Sequence, residues 1–135
     1  MNDITPTLRI HLWLETGEGM LLGLGRAELL LRIQECGSLN RAAKAMGMSY
    51  RAAWGRLKAT ENQVGEPLVE PGQGRKGFTL SPLGPRLAQE FKAWHAEVEA
   101  FALDRASKMM PWTIRPFTSN IPGGDDGEDS LRDDA

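Results

Sequence analysis

The chain has 135 residues, 41% hydrophobic and 25% charged, which suits one soluble globular domain with a modest core. No apolar run approaches the ~20 residues that span a bilayer, and Met1 to Pro6 lacks a basic stretch leading into an apolar one, so neither a membrane partner nor a secretory signal is expected. The formal net charge of -2 hides an asymmetry: Leu24 to Arg86 carries +5, and Asp125 to Ala135 carries -5.

Leu8 to Glu15 alternates, with Leu8, Ile10, Leu12 and Leu14 on one face and Arg9, His11, Trp13 and Glu15 on the other. That period of two predicts a half-buried strand. Thr16-Gly17-Glu18-Gly19 supplies turn residues, and Met20 to Leu22 returns as the second strand of a hairpin. A first helix follows over about Arg26 to Cys36, with Leu29, Leu30 and Ile33 inward and Gly37 as its stop. The lone Cys36 cannot close an internal disulfide and reads as buried and inert, consistent with a reducing cytoplasm.

Ser38 can cap a second helix whose Ala42, Ala43 and Met46 make a small, closely packing face, and Gly47 ends it after two turns. Ser49 can cap a third helix running to about Val64, ahead of Gly65 and Pro67. On it Tyr50, Ala53, Trp54, Leu57 and Val64 share one side at helical spacing, which predicts the core side. Arg51, Ala52, Gly55, Arg56 and Ala59 lie mostly opposite. Small residues let a backbone approach a partner, and the arginines bring donors and charge. A short helix, a tight turn and a longer helix with this outer face is the arrangement a major-groove reader requires.

Leu68-Val69-Glu70 and Phe78-Thr79-Leu80 flank a glycine-rich basic loop, Pro71 to Gly77, and predict a hairpin wing. Ser81 then caps a last helix with Pro82 in its first position, over about 82–108. Leu83 opens it, and Leu87, Phe91, Trp94, Val98 and Phe101 follow at steps of 4, 3, 4 and 3, an a/d seam suited to dimerisation. Residues 111–135 hold prolines, glycines and the acidic run, and are expected to be an irregular, disordered tail after a domain over 1–110.

The residues that would meet duplex DNA are Ser38, Ser49, Tyr50, Arg51, Ala52, Gly55, Arg56, Arg75 and Lys76. A guanidinium from Arg51 or Arg56 can bond O6 and N7 of guanine in a bidentate way, or grip phosphate instead. The serines combine capping with phosphate contact, and Arg75 and Lys76 offer phosphate or minor-groove contacts. Enzyme chemistry has no constellation here. His11 and His95 have no Cys or carboxylate at ligand or triad spacing, so no metal or catalytic site is expected.

Gly37-Ser38-Leu39, Ala42-Ala43-Lys44, Gly47-Met48-Ser49-Tyr50-Arg51 and Ala53-Trp54 resemble the N-terminal DNA-binding domain of the molybdate-responsive ModE family, which is similar to the winged helix of LysR-type regulators. Gly65-Glu66-Pro67-Leu68-Val69-Glu70 and Leu80-Ser81-Pro82-Leu83-Gly84 extend the resemblance, which covers roughly Leu8 to Phe101. The resemblance implies an α+β fold: an N-terminal β-hairpin, a winged helix-turn-helix and a long C-terminal dimerisation helix. It also implies a homodimeric regulator that binds duplex DNA in a sequence-specific way. Family members carry further β-barrel domains for molybdate or tungstate. Only 34 residues follow Phe101, so a single-domain form without cofactor or oxyanion is expected. A protein–protein adaptor and a non-specific architectural DNA binder are the alternatives.

Overall fold

The computed structural model describes residues 3–71 and 78–118. Three helices in quick succession form its centre: α1 (Leu24–Cys36), α2 (Leu39–Ala45) and α3 (Tyr50–Val64). Local chemistry sets their ends. Ser38 Oγ accepts from the Arg41 N–H at 3.1 Å and Ser49 Oγ from the Ala52 N–H at 3.0 Å, so each helix starts on a satisfied donor. Between α2 and α3 the chain must reverse within a few residues, and Gly47 does this at φ 70°, where a Cβ would be strained. Cys36, expected to be buried, is partly exposed at the last position of α1.

The core lies where these helices converge. Leu29, Leu30 and Ile33 of α1 meet Leu39, Ala42 and Ala43 of α2, Ala53 and Leu57 of α3, and Leu68 and Val69. Each fully buried Leu contributes roughly 1.5–3 kcal/mol by leaving water. The alanines of α2 are what let three helices approach so closely. The wing follows as β4 (Val69–Pro71) and β5 (Phe78–Leu80), antiparallel with Val69 opposite Leu80 and Pro71 opposite Phe78. Arg75 and Lys76 lie in the connection, outside the described residues.

The N-terminal alternation resolves into two short strands rather than one. β1 (Thr7–Leu8) pairs in parallel with β6 (Arg115–Pro116), a partner that arrives only after the last helix. The Arg115 N–H donates to the Pro6 carbonyl at 2.9 Å, and the Arg9 guanidinium sits 3.9 Å from the centre of the Phe117 ring. The segment expected to be irregular from residue 111 therefore contains a short paired strand, while the acidic run from Asp125 lies outside the described residues. β2 (Trp13–Thr16) pairs with β3 (Gly19–Gly23) as the expected hairpin, but its register shifts between Leu14 and Glu15. The shift breaks the strict alternation, so Leu14 is 42% exposed while Met20 and Leu22 supply the buried face.

The last helix, α4 (Leu83–Met109), starts one residue later than expected. Ser81 Oγ donates to the Pro67 carbonyl at 2.9 Å instead of capping, and Pro82 holds the cap position without a side-chain bond. Gly84 is closely packed here: a Cβ would stand 3.2 Å from Leu80 Cδ2 and 3.3 Å from the Leu68 carbonyl, so a side chain would need its neighbours to give by a few tenths of an ångström. The seam proposed for dimerisation divides in two. Phe91 is 3% exposed inside its own domain's core, and Leu83 and Leu87 pack against that core, so these three hold the monomer together. Trp94 and Phe101 are exposed, and Val98 is half-buried. α4 has 27 residues against 13 in α1, so its later turns run past α1 and carry the stripe out to solvent. The Lys92–Glu28 ion pair, 3.0 Å, marks the side on which α4 lies along α1.

Candidate nucleic-acid interface

Both helices of the helix-turn-helix carry exposed cations. Arg41 and Lys44 on α2 and Arg51 on α3 are exposed, and none forms an ion pair among the described residues. Other bases of the positive middle are engaged elsewhere. Arg26 is buried, donating to the Met20 carbonyl at 2.7 Å and to Thr60 Oγ1 at 3.3 Å. Arg32 pairs with Glu28 and Glu35, and Lys58 with Glu61. Neither α2 nor α3 has an acid in its first turn, so the positive ends of both helix dipoles stand uncancelled beside those free cations.

Ser49, Tyr50, Arg51, Ala52 and Gly55 of the expected DNA-facing set are exposed, and all lie on or directly before α3. Ser38 is half-buried beneath its cap bond on α2. Arg56 is half-buried and turned back toward the helix-turn-helix, with Nη1 3.8 Å from Met48 Sδ. Tyr50 corrects the expected core stripe: it is 47% exposed, while Ala53 on the same turn is buried. Its ring stacks on Trp54 with centroids 6.4 Å apart and planes 7° from parallel. Trp54 itself is only half-buried.

Gly55 has no internal reason to be glycine. It is mid-helix, and a Cβ there would meet nothing within 4 Å. Gly55→Ala is therefore expected to raise folding stability by roughly 0.5–1 kcal/mol in chemical denaturation. If a duplex approaches this face closely, the same variant should bind DNA more weakly. Unchanged stability would show a constraint at Gly55 within the fold.

Residues 24–85 match the model of bacterial regulatory helix-turn-helix proteins of the lysR family. This segment is similar to the helix-turn-helix domain of LysR-type regulators. The chain is 35% identical over 115 residues to the molybdenum transport protein ModE of Azotobacter vinelandii, covering 83% of this chain and 39% of that protein. It is 36% identical over 113 residues to the molybdenum-pterin-binding protein MopB of Rhodobacter capsulatus, covering 76% and 42%. With the transcriptional regulator ModE of Haemophilus influenzae it shares 36% over 83 residues, 59% of this chain and 32% of that one. The chain thus spans less than half the length of these relatives. Among solved structures, the BenM DNA-binding domain in complex with benA site 1 DNA is similar at TM-score 0.53 and 17% identity, covering 67% of this chain and 99% of that one. The CbnR DNA-binding domain, also in a DNA complex, gives 0.51 and 20%, covering 64% and 97%. At these identities the likeness establishes the winged-helix fold alone.

Four polar residues outside the expected site hold this domain in shape. Gln63 Nε2 donates to the Met20 carbonyl at 2.7 Å, and Thr16 Oγ1 donates to Gln63 Oε1 at 2.8 Å, which ties the β2–β3 hairpin to α3. Thr60 Oγ1 lies within reach of Arg26 from the same helix and is itself buried. Glu61 is buried beside Lys58 and the start of β4. A threonine and a glutamate on an otherwise apolar helical stripe, just before Gly65, are the signal that the sequence offers for them.

Burial alone would raise the Glu61 carboxyl. The Lys58 hydrogen bond and the Leu68 and Val69 N–H donors outweigh it, holding the carboxyl below the ordinary glutamate range. In the unfolded chain it titrates in that ordinary range. The stabilisation is therefore complete above it and is lost as the pH falls through it toward the lower folded value. Glu61→Gln should flatten the acid limb of a pH–stability curve. Parallel curves for the two chains would contradict this.

Proposed function

We propose that this chain is a transcriptional regulator that binds duplex DNA in a sequence-specific way, with the N-terminal half of α3 in the major groove. The observation that carries the reading is the union of free cations at Arg41, Lys44 and Arg51 with an unfilled helical surface at Ala52 and Gly55. Arg51 is the base reader, since an exposed arginine on the first turn of α3 can reach a guanine edge with two parallel donors. Arg41 and Lys44, on the preceding helix, meet phosphates. The wing, through Arg75 and Lys76, meets the flanking backbone. Names of the relatives as ModE regulators, and the DNA complexes of the structural neighbours, agree with this reading.

The active species is a homodimer. Trp94, Val98 and Phe101 lie on one side of α4, and Met109 continues that side into solvent. No helix of the described residues is long and apolar enough to cross a membrane. The site of action is where the duplex partner is, the cytoplasm. Selection of bound sequences from a random duplex pool tests the function. A recurring motif in two half-sites about one helical turn apart is the expected yield. A pool that stays random after selection would leave only non-specific binding.

Two relatives are named for molybdenum transport and molybdenum-pterin binding, and the chain matches about two fifths of each. We infer that any oxyanion recognition in these two relatives lies in the part outside the match. Titrating the 135-residue chain with molybdate in a calorimeter should give no saturable heat. A stoichiometric isotherm would overturn this division of labour.

A further inference from the structure

Glu61 is 8% exposed on the side of α3 that carries Ala53 and Leu57, a place where an apolar side chain would be ordinary. Its two oxygens have separate tasks. Oε1 accepts from the Lys58 ammonium at 2.6 Å. Oε2 accepts from the backbone N–H groups of Leu68 at 2.7 Å and Val69 at 3.2 Å. Leu68 is fully buried and Val69 opens β4, so this carboxylate joins the recognition helix directly to the root of the wing.

The connection continues toward the DNA-facing end. Lys58 Nζ stands 5.1 Å from the centre of the Trp54 ring, and Trp54 stacks on the exposed Tyr50. Tyr50, Trp54, Lys58 and Glu61 thus form an unbroken line along one side of α3, at steps of four, four and three residues. A two-stranded ribbon such as β4–β5 is marginal by itself and takes its position from what it is tied to. Burying a charge only to stabilise the fold would be a poor choice, since an apolar pair of the same shape does as well or better. A directional tie between two contact elements is a different matter, because elements fixed beforehand need not be ordered on binding.

We propose that Glu61 is a positioning residue for DNA recognition: by fastening β4 to α3 it fixes the distance between wing and recognition helix, so both meet the duplex as one body. The proposal rests on the DNA-binding reading above. Glu61 touches no DNA itself, and Lys58, drawn toward Trp54 and Glu61, serves the tie and not a phosphate.

A double-mutant cycle tests it. The probe is the labelled duplex that the wild-type chain enriches from a random pool, and the variants are Glu61→Gln, the pair Arg75→Ala with Lys76→Ala, and all three together. Glu61→Gln should weaken binding roughly three- to tenfold, but change it less than about twofold once Arg75 and Lys76 are gone. Equal effects in both backgrounds mean a merely structural glutamate and overturn the proposal. Lys58→Ala, at a side chain 43% exposed, leaves no buried hole and should show the same coupling more weakly, even if Glu61→Gln does not fold. An effect of Lys58→Ala that adds to that of the wing pair would place Lys58 on DNA and also overturn it. Amide exchange without DNA reads the tie separately. Leu68 and Val69 should exchange faster in Glu61→Gln while Leu29 and Ile33 keep wild-type rates. Faster exchange with additive DNA effects removes the positioning role and leaves DNA binding standing. A wild-type chain that retains no duplex at low salt overturns both.

Discussion

Phe91→Ala should lose about 3–5 kcal/mol of folding stability, and Phe91→Asp should leave no cooperative unfolding transition at all. Phe101→Asp, ten residues further along the same helix, should fold normally. The difference comes from where α4 lies. At Phe91 it is pressed against α1, with 3% of the residue exposed and its ring edge-on to Trp94 at 5.7 Å. At Phe101 it has left the core, and 67% is exposed. Removing Phe91 opens a cavity between two helices that cannot both collapse into it. A carboxylate at position 101 meets water in the monomer and is buried only in a dimer, so light scattering should give one chain mass where wild type gives two. Urea unfolding separates the two variants. Equal midpoints for Phe91→Ala and wild type would refute the placement of Phe91, and a dimeric Phe101→Asp would refute the dimer face.

Arg51→Ala should weaken binding to the enriched duplex by about 1–3 kcal/mol, roughly five- to 150-fold, and relax preference at one base position. The side chain sits on the first turn of α3, exposed and without an ion pair among the described residues, so its removal leaves the fold intact. Arg41→Ala and Lys44→Ala form the control. Removing a phosphate-gripping charge from α2 should lower affinity for every duplex alike and reduce the salt slope by about one per charge. An Arg51→Ala chain with unchanged preference at every position would move the base reader elsewhere on α3.

Much of this architecture was legible from local signals. Ser38 and Ser49 cap as expected, Gly37 and Gly65 end their helices at φ 81° and 84°, and the β2–β3 and β4–β5 hairpins sit where turn residues interrupt apolar runs. Such features depend on a few neighbouring residues, so a single sequence displays them. Three things depended on distant partners and were not legible. β1 is defined by Arg115 and Pro116, more than a hundred residues away. The apparent coiled-coil seam of α4 is apolar for two reasons, first for its own core and then for solvent or a second chain, and spacing does not separate them. Within α3, Tyr50, placed on the core stripe, is outside, and Glu61, given no place, is inside. Glu61 is tolerated there only because Lys58 and the wing's N–H groups converge on it. Trp54, half-buried rather than enclosed, should lose less on truncation to Ala than the ~3–5 kcal/mol of a fully buried aromatic.

Placement of α3 against base edges is tested most directly by equilibrium binding of the wild-type chain to two labelled duplexes across a salt series, one the enriched sequence and one its scrambled counterpart. The enriched duplex should bind on the order of a thousandfold tighter or more at physiological salt. Both affinities should fall linearly with the logarithm of salt concentration, and the gap between them should persist because base contacts are not screened as phosphate contacts are. Equal affinity for the two duplexes at every salt concentration would contradict sequence reading by α3, and a flat response to salt would contradict the cationic face itself.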